Sequence, residues 1–347
     1  MVDLLLILNG GFSMFRKKTS KNIFIVMLLT FILILSACSS KQSTNEKNDT
    51  SEKYPSGPIE VIVSYSAGGS SDLGTRTLMQ YVEKELGVPV VVVNKPGGGG
   101  WVGWEELLSS DPDGNTIALI NTPNLMTGYM DPSLKRDKNL DSFELIANHI
   151  TDPGVIAVRK DDDRFNSVAE LLEYAKNNTT TTTSTGVMGD DHIASLKLNK
   201  KFGTKFNAVH NGGAGESVTA VLGGHVDVLF ANVGDVTTLY NDNEIKVLSV
   251  MSDERSTILP DVPTLAEEGF EGVVSWSARG YAAPKGVDEE KMNVLRAAFE
   301  KAIQNEEQVK KMEETGFQVN YLDKDAYKKS LQEEEKGIED IKDLLNW

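Results

Sequence analysis

Residues 59–86 read IEVIVSYSAGGSSDLGTRTLMQYVEKEL. An apolar strand pattern over 59–65 leads into a short glycine-containing loop, and a helical pattern follows from 72 to 86. Gly68 and Gly69 allow the backbone to turn with its N–H groups pointing outward, and the helix N-terminus adds a positive partial charge. This stretch therefore predicts a strand, a loop and a helix, in which the loop is either an anion-binding loop or an ordinary turn.

The same alternation of strand and helix patterns continues along most of the chain. Further strand patterns occur at 88–94, 116–121, 154–158, 181–185, 205–210, 226–230 and 245–251. Helical patterns separate most of them, and the chain from Asp288 onward is charged and helical. Alternation of this kind predicts an α/β protein with mainly parallel sheets covered by helices.

A second glycine-rich loop contains the pattern G-x-G-x-x-G at positions 98, 100 and 103. The pattern follows a strand and precedes a helix, as it does in dinucleotide-binding folds. However, Pro96 and Gly97 lengthen the turn, and the loop belongs to the second strand–helix unit. We therefore interpret it as an ordinary connection and predict no cofactor.

The first 38 residues have the order of a bacterial lipoprotein signal. Basic residues at 16–18 and 21 precede an apolar run at 23–35, which is too short to span a bilayer comfortably. Small residues then lead to Cys38, the only cysteine. We expect a signal peptide over 1–37, lipidation of Cys38 and a disordered tether over 38–53. An uncleaved membrane anchor and a plain secretory signal are the alternatives.

Composition narrows the functional classes further. The net charge of −16 argues against nucleic acid and anionic lipid surfaces as partners. If Cys38 is lipidated, no thiol is left for a disulfide, a cysteine-ligated zinc site or thiol catalysis. The chain that follows the leader is long enough for two ordinary domains.

Several longer motifs occur in a fixed order along the chain. They are YPSGPI at 54–59, AGGSSD at 67–72 with Arg76, VNKPG at 93–97, DPDGNT at 111–116, LGGHVDV at 222–228, and LPDVPTLAEEGF at 259–270 after Arg255. In these motifs the chain resembles the substrate-binding proteins of tripartite tricarboxylate transporters, the TctC or Bug family, over nearly all of 54–345. The resemblance implies a type II periplasmic-binding-protein-like (venus flytrap) fold with two domains and a mainly parallel sheet in each.

The resemblance also implies a function and a domain organisation. We expect a non-enzymatic receptor that captures a small carboxylate solute and delivers it to the membrane subunits of a transporter. Domain 1 is expected to comprise 54–152 and 278–347, and domain 2 to comprise 153–277, with a hinge at the crossings near 154–159 and 279–283. We expect a monomer, held by Cys38 on the extracytoplasmic face of the cell membrane.

The ligand-binding residues implied by the resemblance lie on both sides of the cleft. Domain 1 is expected to contribute Tyr65, Ala67, Gly68, Gly69, Ser70, Ser71, Asp72, Asn121 and Thr122. Domain 2 is expected to contribute Ser184, Thr185, Gly186, His192, Asn211, Gly212, Asn232 and Asp235. A ligand carboxylate is expected on the 67–72 loop, where Asp72 either orders the loop or receives a cationic or hydroxyl group. His192 either lines the cleft or caps a turn.

Domain 2 departs from the usual family pattern in two places. Asp190 and Asp191 precede His192 where many members have Ser or Thr, and HNGG at 210–213 stands where many have Pro-Tyr-Lys-Gly. The added carboxylates and the missing lysine disfavour a second anionic group. We therefore expect a monocarboxylate, or a ligand with a polar or cationic far end, over citrate. A metal site beside His192 would need ligands from elsewhere, and none is predicted.

Two other classes of function stay open at this stage. A lipid-anchored sensor that presents its ligand to a signalling partner would have the same binding site. An exported hydrolase could use Ser70 or Ser71, but the chain lacks a G-x-S-x-G motif and an obvious base beside these serines.

Overall fold

The computed structural model describes residues 54–345, so the predicted leader, Cys38 and the tether at 38–53 lie outside the described residues. The strands are β1 (Ile59–Val63), β2 (Val90–Asn94), β3 (Thr116–Asn121), β4 (Phe143–Arg159), β5 (Thr180–Ser184), β6 (Phe206–His210), β7 (Leu229–Asn232), β8 (Ile245–Val250), β9 (Trp276–Pro284) and β10 (Val319–Leu322). The helices are α1 (Ser70–Leu86), α2 (Trp101–Ser109), α3 (Asn124–Met130), α4 (Val168–Asn177), α5 (Asp190–Phe202), α6 (Ala214–Leu222), α7 (Val233–Asn241), α8 (Glu289–Ile303), α9 (Glu306–Glu314), α10 (Lys324–Glu339) and α11 (Lys342–Leu345). Within 54–345, no helix is both long enough and apolar enough to cross a membrane.

The first sheet has the strand order β2-β1-β3-β9-β4-β10. β1 pairs in parallel with β2 and β3, whereas β9 is antiparallel to both β3 and β4. α1 packs against α8, and the core beside the sheet contains fully buried Trp101, Trp104 and Phe299. We call this sheet and its helices lobe 1.

The second sheet is built around the far half of β4. β7 and β8 flank it on either side in antiparallel pairing. β5 pairs in parallel with β6, and Thr182 bridges to Val228 immediately before β7. This sheet and its helices form lobe 2. Most strands of each sheet therefore point the same way, with β9 and β10 reversed in lobe 1 and β4 reversed in lobe 2.

The chain passes between the lobes along β4 and again just before β9. β4 pairs with β9 as far as Pro153 opposite Trp276, and with β7 from Gly154 onward. The N–H of Gly154 also donates to the Ser275 carbonyl at 2.8 Å. The sequence predicted a strand only at 154–158, because polar Asn148, His149 and Asp152 interrupt the apolar pattern before it. All three are fully buried in the strand.

The glycine pattern at 98, 100 and 103 has a packing role in lobe 1. A Cβ on Gly103 would lie 2.4 Å from the Ser64 Oγ, so glycine lets α2 lie directly on the end of β1. Gly100 has φ +103, and a Cβ there would lie 2.4 Å from the Trp104 ring. Close packing of α2 on β1 therefore accounts for Gly103, and the positive φ and the nearby Trp104 ring account for Gly100, without a nucleotide.

Candidate functional site

A small cavity lies between the two lobes. Its volume is about 20 Å³, which is room for about one water molecule. Tyr65, Ser66, Gly69, Ser70, Ser71, Asn121, Asn124, Thr185, Asp190, Ala214, Asn232, Asp235, Ser277 and Arg279 line it. Entry of an organic solute therefore requires the cleft to widen.

The first residues of α1, α3, α5 and α6 and the N-cap residue of α7 line this cavity. α1 and α6 begin after Gly69 and Gly213, which carry no side chain that could cap them. The first backbone N–H groups of a helix have no partner inside the helix, and the helix dipole favours negative charge near them. α1 and α6 therefore provide a carboxylate site made of backbone groups, one half on each lobe.

Asp72 organises the loop before α1 and does not line the cavity. Its Oδ2 accepts from the Gly68 N–H at 2.9 Å, and its Oδ1 accepts from Arg76 Nε at 2.8 Å and Asn94 Nδ2 at 3.0 Å. Although burial opposes ionisation, these hydrogen bonds lower the pKa of Asp72 below its usual value. Asp72 is therefore a loop-positioning residue of lobe 1.

Arg279 of β9 is the centre of a buried polar network that joins the two lobes. Its guanidinium contacts Asp152 Oδ2 and Asn232 Oδ1, both at 3.0 Å. The Asn232 amide donates in turn to Asp190 Oδ2 at 2.9 Å and to the Asp152 carbonyl at 3.2 Å. The charge of Arg279 is thus paired directly with Asp152, while Asp190 receives only a neutral amide.

Lobe 2 places two adjacent buried carboxyl groups at the start of α5. Burial raises the pKa of Asp190 to about 6, against the opposing hydrogen bond from Asn232 and the charge of Arg279. Burial, followed by the charges of Asp190 and Asp235, holds the pKa of Asp191 well above its usual range. The α5 N-terminus is therefore already occupied by acidic groups of the chain itself.

These two carboxyl groups predict a specific pH dependence of stability. Their folded-state pKa values exceed those of the unfolded chain, so their destabilising effect declines as the pH falls from 7 to 5. His149 and His192 act in the opposite sense, because burial lowers their pKa values to about 3 and about 4. Replacing both aspartates with asparagine removes only the first effect.

We therefore expect the stability difference between wild type and Asp190→Asn/Asp191→Asn to change by at least about 1 kcal/mol between pH 7 and pH 5, in favour of wild type at the lower pH. Urea unfolding at both pH values measures this difference. Parallel pH profiles for the two proteins would contradict the assignment.

Several polar atoms on the cavity wall have no hydrogen-bond partner among the described residues. They include the Tyr65 hydroxyl, Asn121 Oδ1, Asn124 Nδ2, Asp235 Oδ1 and Arg279 Nε. Tyr65, Asn121 and Asn124 are each at least 95% buried. Buried polar groups normally have partners, so these atoms indicate a surface built to contact a polar ligand.

The two lobes touch directly beside the cavity. The Ser66 N–H donates to the Gly212 carbonyl at 3.2 Å, and the Ser66 hydroxyl donates to Glu216 Oε1 at 2.6 Å. A Cβ on Gly69 would lie 3.3 Å from the Gly215 backbone N, and one on Gly213 would lie 3.2 Å from the Ser66 backbone N. The glycines on both lobes thus permit close approach.

The structure brings eight of the predicted site residues together on the cavity wall: Tyr65, Gly69, Ser70, Ser71, Asn121, Thr185, Asn232 and Asp235. It places the other nine elsewhere: Ala67, Gly68, Asp72, Thr122, Ser184, Gly186, His192, Asn211 and Gly212. Ala67 is on the exposed side of its loop, and Thr122 Oγ1 accepts from the Ala278 N–H at 3.3 Å. Gly186 and Asn211 line a neighbouring outer groove, and Gly212 forms the contact with Ser66.

Ser184 and His192 are engaged in local turns. The Ser184 hydroxyl donates to the Gly186 carbonyl at 2.6 Å, and His192 Nδ1 accepts from the Met188 N–H at 3.0 Å. His192 therefore caps the turn before α5, which is one of its two predicted roles. Ser71 Oγ accepts from Asn121 Nδ2 at 3.3 Å, so its near partner is an amide and not a catalytic base.

The predicted set lacks Ser66, Asn124, Asp190, Ala214, Ser277 and Arg279, which also line the cavity. A detectable signal existed for Arg279, because it is a charge within the otherwise apolar segment SARGYAA at a predicted crossing. Asn124 begins the short helix α3, which has no strong sequence signal. In the described part of the chain, no three His, Cys, Asp or Glu side chains are arranged to hold a metal ion.

Comparison with known proteins identifies close matches in both sequence and structure. A family model described as the tripartite tricarboxylate transporter family receptor, TctC, matches residues 75–346. A UPF0065 protein in the gbd 5′ region of Cupriavidus necator is 34% identical over 259 residues, which cover 73% of this chain and 76% of that protein.

Two solved structures extend the match to three dimensions. A TctC solute-binding protein from Polaromonas is 32% identical with a TM-score of 0.61, and the alignment covers 84% of this chain and 99% of that one. The periplasmic binding protein BugD is 27% identical with a TM-score of 0.76, covering 84% and 98%. The predicted fold class, a two-domain periplasmic-binding-protein-like α/β fold, is confirmed.

Proposed function

The chain belongs to the tripartite tricarboxylate transporter receptor family (TctC), and we propose that it captures a small carboxylate between its lobes and delivers it to the membrane subunits of a transporter. The predicted family resemblance is confirmed. As a family member the chain is an extracytoplasmic solute-binding receptor and not an enzyme. The specific solute class and the delivery step are our proposal.

One observation carries the carboxylate assignment: the N-termini of α1 and α6 meet at one cavity, each after a glycine without a capping side chain. A carboxylate accepts hydrogen bonds from such N–H groups and is favoured by both helix dipoles. Because one helix belongs to each lobe, a ligand held by both stabilises the closed arrangement.

We propose that ligand entry and capture use a hinge between two domains. Domain 1 comprises 54–152 and 278–347, and domain 2 comprises 153–277. The pairing of β4 with both sheets supports placing the hinge at the two crossings. Opening about these strands would admit the solute, and closure would bury it, so that each of its polar groups must find a partner. We propose that the receptor acts as a monomer.

We also propose that the receptor is anchored to the cell membrane through lipidated Cys38, after removal of 1–37. The order of basic, apolar and small residues before the only cysteine supports this. Cys38→Ser is expected to move the protein from the membrane fraction to the soluble or secreted fraction. Retention of the variant in the membrane would instead support an uncleaved anchor.

A thermal-shift screen of the full chain in mild detergent tests the solute proposal. We expect one class of carboxylate to raise the melting temperature by about 4–5 °C at a hundred times its dissociation constant, because a ligand that binds only the folded state stabilises it by about 2.7 kcal/mol under those conditions. Monocarboxylates and ligands with a cationic far end are expected to exceed citrate.

The matched variants for this screen both remove one aspartate. Asp72→Ala disrupts the 67–72 loop and is expected to abolish most of the shift. Asp253→Ala removes an exposed carboxylate and is expected to keep it. A clear shift with a metal ion or a peptide, without any shift by a carboxylate, would refute the proposal.

A further inference from the structure

The lobe 2 side of the cavity carries more negative charge than the chain itself balances. Asp190 and Asp235 both line the cavity, and Asp191, the next residue of α5, is also buried. Among the described lining residues Arg279 is the only cation, and its guanidinium is already paired with Asp152 at 3.0 Å. Burying an ionised carboxylate without a cation is unfavourable, so such a group either takes up a proton or meets a cation inside the cavity.

The hydrogen bonds around these carboxylates leave acceptors available. Asp190 receives the Asn232 amide on Oδ2, and Asp235 receives the Asn232 backbone N–H on Oδ2 at 2.9 Å. Asp235 Oδ1 has no partner within the described residues. Both carboxylates therefore have capacity for further donors from inside the cavity.

An independent observation comes from lobe 1, on the facing wall. Asn121 is 5% exposed, and its Nδ2 donates to Ser71 while its Oδ1 has no described partner. The cavity wall thus combines a free amide oxygen with the carboxylates of Asp190 and Asp235. A protonated amine has three N–H donors and no acceptor, which matches this set of acceptors and also supplies the missing charge.

We propose that the solute of this receptor is an amino-carboxylate, whose protonated amine binds among Asp190, Asp235 and Asn121 while its carboxylate binds at the N-termini of α1 and α6. This inference rests on the proposed function and narrows its solute class. Each charged group of such a ligand thereby meets charge or dipole of the opposite sign.

The inference explains why the two acidic residues occur at the start of α5. On their own they weaken the apo protein, because burial raises the pKa of both carboxyl groups. The titratable groups nearest to Asp190 are Asp191, Asp235 and Arg279, with Glu334 and Lys197 on its other side. A bound ammonium group would favour the ionised form of Asp190. The buried carboxyl group that destabilises the empty receptor would therefore make it selective for a ligand with an amine.

A matched set of ligands tests the inference by calorimetry on the full chain in mild detergent. Each amino-carboxylate is paired with its analogue lacking the amine: aspartate with succinate, glutamate with glutarate, alanine with propionate, and 4-aminobutyrate with butyrate. We expect the tightest amino-carboxylate to bind at least tenfold more tightly than its partner at pH 7.5. Its affinity should fall as Asp190 becomes protonated toward pH 5.5.

Variants identify the residue responsible for the preference for the amine. Asp190→Asn is expected to reduce the preference for the amine to less than threefold, and Asp235→Asn to weaken it in the same direction. Asp242→Asn, at the exposed end of α7, makes the same change of charge away from the cavity and should keep the preference. Circular dichroism confirms that each variant is folded.

The outcomes separate this inference from the proposed function. Analogues that bind as tightly as the amino-carboxylates, or a preference unchanged in Asp190→Asn, would overturn the inference and leave the carboxylate receptor intact. Tighter binding at pH 5.5 would also overturn it, since Asp190 would then act as a protonated donor to a carboxylate. Binding of neither ligand series would overturn the inference, and the proposed function itself would be refuted if the thermal-shift screen also finds no carboxylate that binds.

Discussion

Arg279→Ala is expected to lower the free energy of unfolding by about 3–5 kcal/mol, and the melting temperature by roughly 5–8 °C. Arg279 is 2% exposed, and it is the direct partner of Asp152, which is itself fully buried. Removing the guanidinium leaves the Asp152 carboxyl group buried without its cation, with Asp190 and Asp235 nearby. Urea unfolding monitored by tryptophan fluorescence measures the change.

The chain offers a matched control for this variant in an exposed ion pair. Arg255 contacts Glu267 at 2.8 Å, a distance similar to that between Arg279 and Asp152, but both partners are accessible to solvent. Arg255→Ala is expected to have little measurable effect, because exposed ion pairs gain little over solvation by water. Equal effects of the two substitutions would contradict the burial argument.

A double variant distinguishes loss of the ion pair from loss of packing. Arg279→Met/Asp152→Leu removes both charges and retains most of the buried volume. We expect it to be more stable than Arg279→Ala, because the Asp152 carboxyl group no longer remains buried without its cation. If the double variant is less stable than the single one, the contribution of Arg279 comes from its other contacts, such as the hydrogen bond to Asn232.

The regular part of the fold could be predicted from local sequence patterns. The apolar run and the glycine loop at 59–86 correspond to β1 and α1, and the pattern at 116–121 matches β3. These segments carry strong local preferences that agree with their place in the core. Agreement between local preference and tertiary structure is what makes a segment predictable.

Two elements that shape the site lack such local signals. β9 reads WSARGYAAP, with three alanines and a glycine, yet it is a central strand because β3 and β4 pair with both of its edges. A Cβ on Gly280 would lie 2.4 Å from the Tyr327 ring, so tertiary packing explains the residue that weakens the strand pattern. α7 reads VGDVTTLYN, and its stability depends on buried Val233 and Val236.

The candidate site likewise contains some residues that local sequence patterns predict and others that only the tertiary structure reveals. The loop before α1 could be predicted from the sequence, because glycines between a strand and a helix allow the backbone to turn sharply. The contact of Arg279 with Asp152 and Asn232 joins residues 127 and 47 positions apart, so no local pattern could reveal it. Likewise, the sequence left two roles for His192, and only the bond from the Met188 N–H identifies it as a turn cap.

Gly213→Val is expected to weaken binding of the carboxylate found in the thermal-shift screen at least a hundredfold, while the apo protein keeps its stability within about 1 kcal/mol. A Cβ on Gly213 would lie 3.2 Å from the Ser66 backbone N and 3.7 Å from the Tyr65 Cβ, across the closed cleft. The methyl groups of valine extend further and would hold the lobes apart. Open lobes can accommodate them, so the cost falls on closure and not on folding.

Two further variants test whether Gly213→Val weakens binding by preventing closure of the lobes. Gly69→Val adds the same side chain from the opposite lobe, where a Cβ would lie 3.3 Å from the Gly215 backbone N, and it should weaken binding similarly. Gly57→Val is the control, because no atom lies within 4 Å of a Cβ at Gly57. Calorimetry with the same carboxylate compares the three variants with wild type. Wild-type affinity in Gly213→Val would mean that the ligand binds without closure, and the backbone N–H groups of α1 and α6 could not then act on one carboxylate together.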